Sequence, residues 1–182
     1  IYILGLNNLS FFWFYVFIIF LIILGTSIIN FTNFMDGSDG IVAGSMILIF
    51  MFCSILISDD YLIVVGSLLG FLFWNWSPSK VFMGDIGSTF LGALLVGLIF
   101  DTDNLTLNFK IIILISPLLI DPFVCVLRRL AYKQRIFEAH CSHLYQRLIK
   151  SGWTHSSVAI LYMVSIIVLA IAMFKGQIQH MV

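Results

Sequence analysis

Long apolar runs, separated by short polar stretches, set the pattern of this chain. The first run covers residues 11–30 and is almost wholly apolar. Further runs cover 41–57, 61–76, 86–100, 110–127 and 157–174. Ser58-Asp59-Asp60 closes the second, Ser77-Pro78 the third and Asp101-Thr102-Asp103-Asn104 the fourth. About 20 apolar residues cross a bilayer as a helix. Spans in lipid must be helical, because each backbone group needs a partner within its own segment. The expected fold is therefore all-α: a polytopic membrane bundle of about six transmembrane helices. It forms one integral membrane domain over 1–182, with a polar cytoplasmic loop at 128–156.

Composition strengthens this picture. The chain is 61% hydrophobic and 10% charged, with a mean hydropathy of +1.10. Soluble domains carry about 25% charged residues, so a soluble fold is excluded. A formal net charge of zero gives no electrostatic case for nucleic acid. Cys53 and Cys125 lie in apolar runs and Cys141 in the polar loop, with neither a disulfide framework nor a Cys-x-x-Cys pattern.

Charge also orients the bundle. If residues 31–40 face the cytoplasm, so do 77–85 and 128–156. That side then holds Lys80, Arg128, Arg129, Lys133, Arg135, Arg147 and Lys150, seven of the nine basic residues. The other side holds Lys175 and Lys110, the latter at a span boundary, with Asp59, Asp60, Asp101 and Asp103. Positive charge favours the cytoplasmic side. This orientation brings three polar stretches to one face: Asn30 to Gly40, Asn75 to Ser88, and His140 to Arg147.

Each stretch has a plain reading and a chemical one. Asp36 and Asp39 share a face if the first helix continues, and line a turn if it breaks at Gly37. Carboxylates so placed can hold Mg²⁺ or orient a substrate; alternatively, Asn and Asp cap helices around a glycine turn. Asn30 and Asn33 add donors and acceptors beside them. Asp85 follows Pro78 and Gly84 on a constrained turn, where it suits a cation bridging phosphate oxygens or simply caps the next helix. His140 and His143 share a face if helical and suit a phosphate, while two histidines and Cys141 are too few for zinc. Arg128, Arg129 and Arg147 can grip a diphosphate bidentately, although arginines here are topology signals first. Asp121 lies inside the fifth span and needs a partner, expected to be Arg128 or Arg129.

Together these residues resemble a known family. Asn33-Phe-Met-Asp36-Gly-Ser-Asp39-Gly, then Asn75, Pro78 and Phe82-Met-Gly-Asp85-Ile-Gly-Ser88, then His140-Cys-Ser-His143-Leu-Tyr-Gln-Arg147 are similar to the cytoplasmic motifs of the polyprenyl-phosphate N-acetylhexosamine-1-phosphate transferases, glycosyltransferase family 4. The His-x-x-His form looks more like members that start bacterial O-antigen (lipopolysaccharide) chains than like the peptidoglycan translocase. The resemblance implies a multi-pass enzyme of the bacterial inner membrane with its active site on the cytoplasmic face. It implies transfer of a sugar 1-phosphate from a UDP-N-acetyl sugar to undecaprenyl phosphate, releasing UMP, with Mg²⁺ as cofactor and Mn²⁺ as its substitute. Asp85 matches the metal ligand. Asp39, Asn75 and Phe82 match the uridine pocket, Phe82 stacking on the base. Asn33 and Asp36 line the cleft, and His140 and His143 lie near the diphosphate. Expected partners are the two substrates, the membrane and a second copy in a homodimer, with no nucleic acid.

The family also carries an adjacent Asp-Asp pair on an earlier cytoplasmic loop. Residues 1–10 contain no acid, and Asp59-Asp60 falls on the outer side. The expectation is a C-terminal part of a longer enzyme, inactive by itself. The competing classes are a transporter or channel subunit, or an inactive remnant of the transferase. Acids in transport paths sit mid-span, whereas these cluster at one face. Alcohol phosphotransferases using CDP-activated lipids need further aspartates and an arginine after the first pair, and residues 41–58 supply neither.

Overall fold

The computed structural model describes residues 11–133 and 143–179, with side chains from Trp13 to Lys133 and from His143 to Met173. Among the described residues seven helices follow in order: α1 (Phe11–Met35), α2 (Ile41–Leu56), α3 (Tyr61–Asn75), α4 (Gly84–Asp101), α5 (Leu105–Ala131), α6 (Leu144–Lys150) and α7 (His155–Gln179). The described residues contain no strand, so the all-helical expectation holds. The chain is a multi-pass membrane bundle.

Among the described residues four helices have the length and composition to cross a membrane: α1, α4, α5 and α7. The expected second and third spans are shorter, at 16 and 15 residues. A helix of that length rises about 24 Å, less than the roughly 30 Å hydrocarbon core. α2 tolerates this because it lies inside protein: Ile41, Ala43, Met46, Ile49 and Phe50 are fully buried. Its neighbours are α3, α7, α5 and, at one end, α1. α1 packs on α4 and α5, and α5 packs on α7. Where α1 crosses α4, a Cβ on Gly92 would meet Ile29 Cα at 2.8 Å, the close approach that small residues permit between membrane helices.

Several boundaries differ from the sequence expectation. α1 continues to Met35, so Asn30 and Asn33 lie inside it. α5 begins at Leu105, where the Asn104 side chain accepts from Leu107 N (3.2 Å), and Lys110 is thus within a helix. It runs on through Pro117 and Pro122 to Ala131, carrying Arg128 and Arg129 with it. Proline deletes a ladder hydrogen bond, but neighbouring helices and side chains re-satisfy the freed groups in a packed bundle. The polar 128–156 segment accordingly starts inside α5, contains α6, and ends with α7 beginning at His155.

Candidate active site

The turn joining α1 to α2 is tied to four other parts of the chain, which puts the three polar stretches at one end of the bundle. Helix α1 stops at Met35, so Asp36 and Asp39 line a turn and share no helix face. The Asp39 carboxylate accepts from Ser79 N (3.2 Å) and Ser79 Oγ (2.8 Å). Asn75, buried at the end of α3, accepts from Gly40 N (3.1 Å) and donates to the Val81 carbonyl (3.0 Å). Ser88 Oγ donates to Asn33 Oδ1 (2.6 Å), pinning α4 to α1. Tyr145 Oη donates to the Phe34 carbonyl (3.1 Å), and Ser38 Oγ lies 2.9 Å from His155 Nδ1. A Cβ on Gly37 would meet Tyr145 Oη at 1.9 Å, so this close approach requires glycine.

Asp36 at the turn lies within electrostatic reach of Asp85. Asp36 accepts from the backbone of Gly84, and the Asp85 charge acts on it. Burial, with Asp85 adding to it against the Gly84 bond, pushes the Asp36 carboxyl up to about 6. Gly84 sits at φ 68°, a left-handed conformation that glycine takes without strain. Asp85 is exposed in the first turn of α4, whose N-cap position is Met83. A neighbouring like charge disfavours the ionised carboxylate, and a cation at the pair would relieve that. Among the described residues no three His, Cys, Asp or Glu side chains gather as a metal cluster. The acids at this turn fit Mg²⁺, which takes one or two carboxylates and completes its shell with water and phosphate oxygens. Phe82 is 75% exposed beside this pair in sequence and free to stack on a planar ring. Asn30 is also exposed, and its amide donates to its own helix at Thr26 O (2.9 Å).

The third stretch is held by Asp121. Its partner is not Arg128 or Arg129, as the sequence suggested. Its carboxylate accepts from Leu144 N (2.6 Å), Tyr145 N (3.2 Å) and Tyr162 Oη (2.7 Å). A buried carboxylate needs several donors, and the α6 backbone offers them where an arginine further along α5 does not. His143 is buried, with Nδ1 3.7 Å from Asp121 Oδ1 and its ring between Phe34 and Tyr145. It is the N-cap residue of α6, with an extended backbone of its own (ψ 151°), rather than lying within a helix. His140 lies outside the described residues. Arg128 and Arg147 are exposed and line the mouth of a cleft of about 690 Å³ between α5 and α7; Arg129 is buried.

Sequence reasoning passed over Ser38, Ser79, Ser88, Tyr145, Tyr162 and His155. Most stand next to residues it did single out, but single hydroxyls carry no spacing signal. His155 opens α7 after Thr154, whose Oγ1 accepts from Ser157 N (3.1 Å); that cap was the one clue available.

The chain is similar to known proteins over most of its length. The family model described as Glycosyl transferase family 4 matches residues 1–103. A probable undecaprenyl-phosphate N-acetylglucosaminyl 1-phosphate transferase of Bacillus subtilis (strain 168) is 37% identical over 154 residues, 77% of this chain and 43% of the relative. A phospho-N-acetylmuramoyl-pentapeptide-transferase of Leuconostoc citreum (strain KM20) is 32% identical over 181 residues, 93% of this chain and 52% of the relative. Another, of Lacticaseibacillus paracasei, is 38% identical over 98 residues, 50% of this chain and 30% of the relative. The chain thus spans about half the length of the curated relatives it matches.

Proposed function

The chain belongs to glycosyl transferase family 4, and on that premise we propose that it carries the donor and metal side of a polyprenyl-phosphate N-acetylhexosamine-1-phosphate transferase. The donor is a UDP-N-acetyl sugar and the acceptor a polyprenyl phosphate. An acceptor phosphate oxygen attacks the sugar-bound phosphorus of the donor. The bond from that phosphorus to the bridging oxygen breaks, and UMP leaves with the bridging oxygen. The reaction makes the lipid-linked precursor of a surface polymer at the cytoplasmic face of the bacterial inner membrane. The relatives' printed names give N-acetylglucosaminyl and N-acetylmuramoyl-pentapeptide transfer, so the proposal stays broader than O-antigen.

The observation that carries this reading is Asp36, bonded to the Gly84 backbone within electrostatic reach of Asp85, with an exposed Phe82 two residues before Gly84. Mg²⁺ held there would neutralise the diphosphate, the main electrostatic task in transfer between two anions. Phe82 stacks on the uracil. Asp39 and Asn75 act by holding the two polar loops together, because their polar atoms are already bonded. Arg128 and Arg147 attract the acceptor phosphate at the mouth of the α5–α7 cleft. Pro117, Ile120, Val124, Leu161, Val164 and Val168 offer an apolar bed for its isoprenoid chain. His143, stacked against Tyr145, faces the same end of the bundle.

The test is UMP release by the full-length protein in nanodiscs, with UDP-N-acetylglucosamine and undecaprenyl phosphate tried first. Mg²⁺-dependent release that stops without the lipid supports the proposal. No release from any UDP-N-acetyl sugar contradicts it. Phe82→Ala should raise KM for the donor by about tenfold, the loss of one stacked ring worth roughly 1–3 kcal/mol; an unchanged KM would remove the stacking role.

A further inference from the structure

His155 lies far in sequence from every motif above, yet its ring reaches the turn at the centre of the site. Gly152, at φ 102°, follows α6 and lets the chain reverse. Helix α7 then starts at His155 behind the Thr154 cap. Side chains in a first turn lean toward the helix N-terminus, here toward the polar end of the bundle. Nδ1 of His155 meets Ser38 Oγ at 2.9 Å, and Ser38 is 9% exposed.

The residues around Ser38 are each anchored to a different element. Phe34 is bonded from α6, Asp39 from the α3–α4 loop, Gly40 from the end of α3 and Asp36 from the start of α4. Ser38–His155 supplies the tie from α7. It lies between the two aspartates, so it limits rotation of the backbone that carries Asp36 and Asp39.

We propose that His155 is a positioning residue for the transfer, fixing through Ser38 the turn that carries Asp36 and Asp39. The proposal rests on the transferase reading. His155 touches no reacting atom in this account. Losing the bond lowers the rate of the chemical step and leaves donor binding nearly intact. Small misplacements of catalytic groups reduce rate far more than affinity.

The experiment compares His155→Ala, His155→Asn, Ser38→Ala and the double alanine variant of the full-length protein in nanodiscs. UMP release gives kcat and donor KM, and hydrogen exchange is followed at amides 36–40. His155→Ala and Ser38→Ala should each lower kcat about tenfold with KM within about twofold, and exchange at the turn should quicken. The double variant should be no worse than the poorer single, as expected for two halves of one interaction. Asn can place a polar atom near the Nδ1 position, so His155→Asn should restore kcat to within about threefold. Additive losses, an unrescued His155→Asn or unchanged exchange in His155→Ala would overturn the proposal. A wild-type protein that releases no UMP would instead contradict the transferase reading, and the exchange data would still decide whether His155 fixes the turn.

Discussion

Asp36 is the residue where structure and chemistry pull apart. Burial holds its carboxyl up to about 6, against the ordinary 3.8. A raised carboxyl favours the protonated form in the folded state, so it lowers stability as pH rises from about 4 through 6, and the loss persists above that. Asp36→Asn removes the buried charge. It should therefore stabilise the protein at pH 7.5 by about 1–3 kcal/mol, the lower end allowing for solvent that still reaches the carboxyl. Thermal unfolding at pH 7.5 and pH 4 checks this: the gain should shrink toward zero at pH 4, and equal gains at both would contradict the cause given. The same substitution should abolish turnover. One position over, Gly37 faces Tyr145 Oη. Gly37→Ala should cost about 1–3 kcal/mol by overpacking. Adding Tyr145→Phe should recover part of that loss, and strict additivity of the two would speak against a direct contact. At this scale the sequence was informative about carboxylates and amides, because few polar residues stand at the ends of apolar runs. It was silent about hydroxyls such as Ser38 and Ser79, whose roles depend on contacts between distant segments.

Among the elements, helix existence was legible and helix ends were not. Apolar runs mark the spans, but α1 and α5 extend past them because polar residues continue a helix when their side chains find partners. Asn30 does so on its own helix and Asn33 across to Ser88. Helix α5 runs through Pro117 and Pro122 without ending. Helix α6 depends on Asp121, an acid in a different helix that accepts two of its first amides. No periodicity within residues 144–150 reveals this. Asp121→Ala leaves those amides and Tyr162 Oη without their acceptor, each costing about 1–3 kcal/mol when buried. Amide exchange at Leu144 and Tyr145 should accelerate in this variant while exchange in α2 changes little. Equal acceleration in both helices would mean that Asp121 supports the whole bundle rather than α6. The full satisfaction of Asp121 also counts against a transport path, where a mid-span acid keeps bonding capacity for its ion.

For the molecule as a whole, the charge count foresaw the most. Grouping the basic residues on one side placed three polar stretches together before any contact was known, and the bonds from residues 34–40 to α3, α4, α6 and α7 join them. The count could not foresee the α5–α7 cleft, which arises from how two apolar helices diverge, nor the central burial of α2. If the orientation is right, Ser79→Cys should be labelled by a membrane-impermeant thiol reagent only from the cytoplasmic side, and Asp103→Cys only from the other; the reverse pattern would invert the account. The central claim is that Asp36 and Asp85 form the cation–diphosphate site, and UMP release by Asp85→Asn at increasing Mg²⁺ tests it most directly. Wild-type release should rise and saturate with Mg²⁺, while the variant, inserted in equal amount, should release none at any concentration. Normal Mg²⁺-dependent turnover by Asp85→Asn would contradict the account.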